Sequence, residues 1–114
     1  MIKRAILIER LGREALAFVG RTHLPADVQF LEGVLRERSA QLKKWGTQDH
    51  SLGHWANILT EELGEFVKEV VELESGRETN MIPALQKLAQ TAAVALSIFV
   101  EYLSPRLIEA EKGS

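Results

Sequence analysis

WANILTEELGEFVKEVVELE, residues 55–74, is the stretch on which the reading of this chain turns. Plotted as a helix at about 100° per residue, it separates into two sectors. Glu61, Glu62, Glu65, Glu69 and Glu72 share one sector, and Ile58, Leu59, Leu63, Phe66, Val67, Val70 and Leu73 fill the adjoining one. The sectors meet at Glu62 and Glu69, so carboxylates border the face expected to be buried. An ionised carboxylate there is costly without a compensating cation. Two readings of the acidic sector stand open: a solvated edge on an amphipathic helix, or a ridge that holds a divalent ion. Glu61 and Glu62 stand four and three residues before Glu65, so these side chains can converge on one hard cation.

Working outward, the flanking segments also have helical spacing. In residues 26–45, Leu31, Val34, Leu35, Leu42 and Trp45 form one side, while Glu32, Arg36, Glu37 and Lys43 face elsewhere. Pro25 suits the first turn, where a missing N–H costs nothing. Residues 46–54, GTQDHSLGH, read as a polar loop with Ser51 as N-cap of the next helix. Residues 75–82 are a second connector, and Pro83 opens a long helix over 83–103. That helix is apolar on nearly every side, which predicts burial in a bundle or between subunits. Ala89, Ala92, Ala93 and Ala95 leave room for close helix approach, and Gln86, Gln90, Ser97 and Glu101 form its polar strip. Pro105 is expected to disrupt or restart the helix ahead of a short tail. Ile8, Leu11, Ala15 and Phe18 give residues 2–19 helical spacing too, with Gly20 as a stop.

No run has the period of a strand. The expected fold is an all-α four-helix bundle in one domain over residues 1–114, with an N-terminal helix or arm at 1–24, the core bundle at 25–104 and a tail at 105–114. A chain of 114 residues buries a modest core, which favours a dimer covering an apolar face. The net charge of −2 gives no general attraction to a nucleic-acid polymer or an anionic membrane. Cysteine is absent, which removes disulfides, thiolate metal sites and a thiol nucleophile. Glu9 and Arg10 interrupt the first apolar run too early for a signal peptide, and no stretch approaches a membrane span, so a cytoplasmic protein is expected.

Other chemistries have little support. His23, His50 and His54 sit in or beside loops without a Ser or Asp partner for a triad, and a zinc site through His50 and His54 lacks a third ligand. GREALAFVGR lacks the Lys-Ser/Thr of a phosphate loop. Arg36, Arg38, Lys43 and Lys44 are mixed with acids rather than forming a basic stripe.

The segments QLKKWGTQDHSLGHW (41–55) and LTEELGEFVKEVVE (59–72), followed by the Ala-rich helix, resemble the MazG-like all-α nucleoside triphosphate pyrophosphohydrolases over about residues 30–103. The resemblance implies a homodimer or a dimer of dimers and a site for Mg²⁺, with Mn²⁺ as a substitute. The reaction it implies is hydrolysis of a nucleoside triphosphate to the monophosphate and pyrophosphate. Glu61, Glu62 and Glu65 match the family's first acidic motif and take its catalytic and metal-binding role, with Glu69 a further ligand. Trp45 and Gln48 lie in the segment that borders the nucleotide in that family. An aromatic can stack on a base and an amide can bond its edge; a helix-end core plug is the other reading of Trp45. Lys44 could meet phosphate. The second acidic motif departs from the family, because its positions fall on Lys87 and Gln90. An ammonium cannot ligate a cation and repels one nearby. Three alternatives follow: the Glu61/Glu62/Glu65/Glu69 ridge holds metal alone, Lys87 stands in for a cation and touches phosphate, or the fold survives as a non-catalytic helical module.

Overall fold

A computed structural model describes residues 24–113, and all its regular structure is helical. The segment expected as an N-terminal helix over 2–19, its stop at Gly20, and His23 lie outside the described residues. Helix α1 is Ala26–Trp45, α2 is Leu52–Glu74 and α3 is Ile82–Ser97. Pro25 occupies the cap position of α1, Asp27 sits in its first turn and Lys43 and Lys44 in its last, each charge opposing the nearby end of the helix dipole. Gly46, at φ 70°, ends α1 and donates its N–H to the Leu42 carbonyl at 2.7 Å, in the left-handed conformation that glycine adopts without penalty. The Ser51 hydroxyl accepts from the His54 N–H at 3.1 Å and starts α2 as expected. Gly76, at φ 81°, turns the chain after α2, and Pro83 lies in the first turn of α3.

The chain does not stop at Pro105. From Ile98 to Leu103 it widens into a π-helical segment, and then resumes as α4, Ser104–Lys112. Ser104 donates its N–H to the Phe99 carbonyl, five residues back. The wider turn places Pro105 at the start of a renewed α-helix, where its missing N–H is harmless. Ile82–Lys112 is therefore one helical run of 31 residues, long and apolar enough to cross a membrane by length and composition. This corrects the expectation that no stretch approaches that length.

Helix α3 is the element on which the others lean. α1 and α2 both pack against it, while α1 and α2 make no close backbone approach to each other. The contact is built from small side chains: Ala89 and Ala93 are wholly removed from solvent, and Ala84, Val94 and Ser97 are buried beside them. Phe30 of α1 and Leu85 pack on Ala89.

Because among the described residues each flanking helix packs only on the run that contains α3, only part of its apolar face is covered there. Leu31 and Leu35 on α1 and Leu63 and Val67 on α2, expected to face the core, are about half exposed or more. Glu37, expected to face away, is buried. The face of α1 that meets α3 carries Phe30, Val34 and Glu37, a stripe rotated from the one that hydrophobicity alone selects. Of the four expected helices, the described residues show the three that follow residue 24, and the N-terminal one lies outside them.

If the alanine contact sets the helix spacing, an added side chain there must force the helices apart. Ala93→Leu is expected to cost about 1–3 kcal/mol. That lowers the melting temperature by several degrees, while Ala95→Leu, at an exposed position of the same helix, leaves it unchanged. Thermal denaturation followed by circular dichroism measures both.

Candidate functional site

The gap between α1 and α2, floored by α3, forms a groove with two adjoining cavities. Gln41, Trp45 and Glu62 line both. The first, of about 260 Å³, is aromatic and apolar on most sides: Leu42, Trp45, Trp55, Ile58 and Val94, with Gln41, Gln48, Glu62, Ser97 and Glu101 as its polar groups. The second, of about 240 Å³, is charged: Glu37, Lys44, Glu62, Glu65 and Lys87 line it with Gln41, Trp45 and Gln90. Residues singled out in the sequence thus come together from all three helices. Lys44 and Trp45 arrive on α1, Glu62 and Glu65 on α2, and Lys87 and Gln90 on α3. Gln48 reaches the aromatic cavity from the loop. Glu61 and Glu69 line neither cavity.

The loop end of the groove is fixed by a cross-helix network. Arg38 of α1 donates to the Ser97 hydroxyl and reaches Glu101 at 3.5 Å, both groups being largely shielded from solvent. Glu101 also accepts the Gln48 backbone N–H at 3.0 Å. The Gln48 side-chain oxygen lies 2.7 Å from His50 Nε2, and the His50 ring stands edge-on to Trp55 with centroids 5.0 Å apart. Gln48, within the loop of residues 46–51, is therefore pinned to the π-helical segment that follows α3. Trp45 is 57% exposed, with the Lys44 ammonium 4.8 Å above its ring, so it is not a core plug; the buried indole is Trp55.

At the charged end, Glu62 holds the least comfortable group. Its Oε2 is buried and has no hydrogen-bond partner. Burial raises the pKa of this carboxyl above its ordinary value of 4.5, the negative charges of Glu65 and Glu61 raise it further, and Lys87 pulls it down. Lys87 is committed to the neighbouring carboxylate: its Nζ lies 3.0 Å from Glu65 Oε2. The side chains of that pair are 33% and 52% exposed, so it belongs with surface ion pairs worth about 0–1 kcal/mol and is easily exchanged for another partner.

The orphaned oxygen of Glu62 is the feature that fits a divalent cation. Among the described residues no group of three or more His, Asp or Glu side chains comes together closely enough to hold an ion alone. Glu62 and Glu65 as a pair match the way Mg²⁺ is commonly bound, by one or two carboxylates completed by substrate phosphates and water.

The sequence reading missed four contributors to the groove: Glu37, Gln41, Arg38 and Trp55. Their signal was spacing. Val34, Glu37, Gln41 and Lys44 follow a three-then-four repeat on α1, and Trp55, Ile58 and Glu62 do so on α2. Compared with family models, with curated proteins and with solved structures, the chain finds no match.

Because the folded state holds the Glu62 proton more tightly than an unfolded chain, it binds more protons between pH 4.5 and the raised pKa. Stability therefore falls as pH climbs through that window, and above it the cost of the buried charge is carried in full. Glu62→Gln, neutral at every pH, is expected to melt higher than the wild type at pH 8, with the advantage vanishing as pH falls to about 4.5. Melting curves across pH test this, and an advantage that grows toward acid would contradict it.

Proposed function

We propose that the groove is the site of a Mg²⁺-dependent nucleoside triphosphate pyrophosphohydrolase, cleaving a ribo- or deoxyribonucleoside triphosphate to the monophosphate and pyrophosphate. One observation carries the reading: Glu62, which has a buried carboxylate oxygen without a hydrogen-bond partner, lines both the aromatic and the charged cavity. A nucleotide has the same order of parts. Its base suits the cavity of Trp45 and Trp55, its phosphates suit the end with Lys44 and Lys87, and the bond to be cut falls between, beside Glu62. Mg²⁺, held by Glu62 and Glu65 together with the phosphates, would supply Lewis-acid polarisation of a phosphoryl oxygen. Glu61 adds negative charge next to Glu62 from outside the cavities. Water would bond to the α phosphorus as pyrophosphate departs, its proton passing to solvent.

A second reading is favoured by a specific contact. Lys87 already neutralises Glu65, as in a catalytically degenerate module that keeps the fold and binds nucleotide weakly or serves as a dimeric interaction protein. In either reading we take the working form to be a homodimer, itself able to pair into a dimer of dimers, in which helices of a second copy complete a four-helix bundle. The support is the stripe Leu63, Val67 and Val71 on α2, each about half exposed at four-residue spacing.

A panel of ribo- and deoxyribonucleoside triphosphates assayed with Mg²⁺ and Mn²⁺ is expected to release pyrophosphate from at least one member. Glu62→Ala should abolish that release, a loss of at least about a hundredfold, while leaving the helical circular dichroism intact. Tight metal-dependent binding of triphosphate without turnover would leave the module reading in its place. Val67→Glu, which puts a charge in the apolar stripe, is expected to convert the dimer to monomer by light scattering.

A further inference from the structure

We propose that Lys87 is an exchangeable cation of the groove: it holds Glu65 when no divalent ion is bound, and moves to a phosphate of the incoming polyphosphate chain when a divalent ion arrives with it. This inference rests on the proposed triphosphate site but goes beyond it, because it concerns the order in which charges enter.

Lys87 Nζ sits 3.0 Å from Glu65 Oε2, and Lys87, Glu65 and Glu62 line one cavity. A bare divalent ion approaching these carboxylates meets an ammonium already seated on one of them, and the like charges repel. A divalent ion that carries a polyphosphate brings its own anion, so the displaced ammonium has a new partner within the same cavity. Lys44, on the opposite wall with its ammonium over the Trp45 ring, offers the phosphates a second cation. Since the Lys87–Glu65 pair is partly exposed, ordinary side-chain rotation suffices to exchange it. Gln90, one turn further along α3 on the same cavity wall, is neutral and can bond either arrangement. Lys87 at an expected carboxylate position is then no defect of the site. It makes metal loading depend on the metal's anionic companion.

The test separates two ligands. Mn²⁺ alone, titrated by electron paramagnetic resonance, is expected to bind Lys87→Met roughly tenfold more tightly than the wild type, the size of effect expected when a neighbouring like charge is removed. Mn²⁺ with an α,β-methylene nucleoside triphosphate is expected to bind the same variant roughly tenfold more weakly, since the phosphate loses its ammonium. Lys87→Arg, which keeps the charge, should follow the wild type in both titrations. Opposite signs in the two arms are the signature, because a purely structural role moves both in one direction. Equal affinities in either arm, or changes of the same sign, overturn the proposal whether or not the protein turns over nucleotide. Opposite signs without pyrophosphate release sustain it and count against the hydrolase reading alone.

Discussion

The closeness with which α3 lets other helices approach governs this molecule. Its buried contact is made of Ala84, Ala89 and Ala93, side chains too small to hold neighbouring helices at a distance. α1 and α2 each settle against that surface from a different side, and nothing between them draws them together. The groove is what remains. A larger residue at Ala89 or Ala93 would widen the spacing, and a third neighbour on the far faces of α1 and α2 would tilt them. The cavities therefore inherit their width from alanines that touch neither cavity.

Charge is then distributed along the groove by register. Glu62 lies one heptad after Trp55, so the same stripe of α2 that anchors the indole also carries the carboxylate inward. That coupling is why a hydrogen-bonding oxygen ends in a dry place without a partner. At the loop end the molecule resolves a similar problem fully, since the Glu101 carboxylate has Arg38 on one oxygen and the Gln48 N–H on the other. At the charged end it resolves it for Glu65 through Lys87 and leaves Glu62 Oε2 unmatched. Two carboxylates close in sequence thus carry opposite burdens. A buried oxygen left without a hydrogen-bond partner, as Glu62 Oε2 is, marks a place where an outside ligand is worth much.

Much of this was legible in the sequence. Pro25, Ser51 and Pro83 announced helix starts, because each acts on a turn only a few residues long. The acidic sector of α2 and the close approach at Ala89 and Ala93 follow from periodicity, while Trp45, Lys87 and Gln90, singled out through the resemblance, line one cavity. What failed was any inference that needed to know how many neighbours a helix has. Leu63 and Val67 belong to an apolar arc wider than one helix can cover, so α3 buries part of it and the rest stays in contact with water. Glu37 was assigned outward because charge outweighed spacing, although its register with Val34 and Gln41 pointed inward. Pro105 was expected to disrupt or restart the helix and stands at a restart, but the π turn ahead of it is a local answer that no periodicity foretells.

The same shortage of neighbours bears on what kind of object the chain is. Among the described residues the side chains wholly removed from solvent are Ala89 and Ala93, and no large side chain reaches that state. Burial of a methyl contributes far less than burial of a leucine or phenylalanine, at about 25 cal/mol per Å² of apolar surface. The conformational entropy of ordering three long helices is not correspondingly smaller. The alanine contact fixes geometry but contributes little to holding it. Trp55, Val34 and Val94 are the larger apolar side chains buried around it, while Leu63, Val67 and Val71 on α2 and Leu31 and Leu35 on α1 keep about half or more of their surface exposed among the described residues. The inner faces of these helices thus shape the groove, and their outer faces carry apolar area that nothing in the described residues covers.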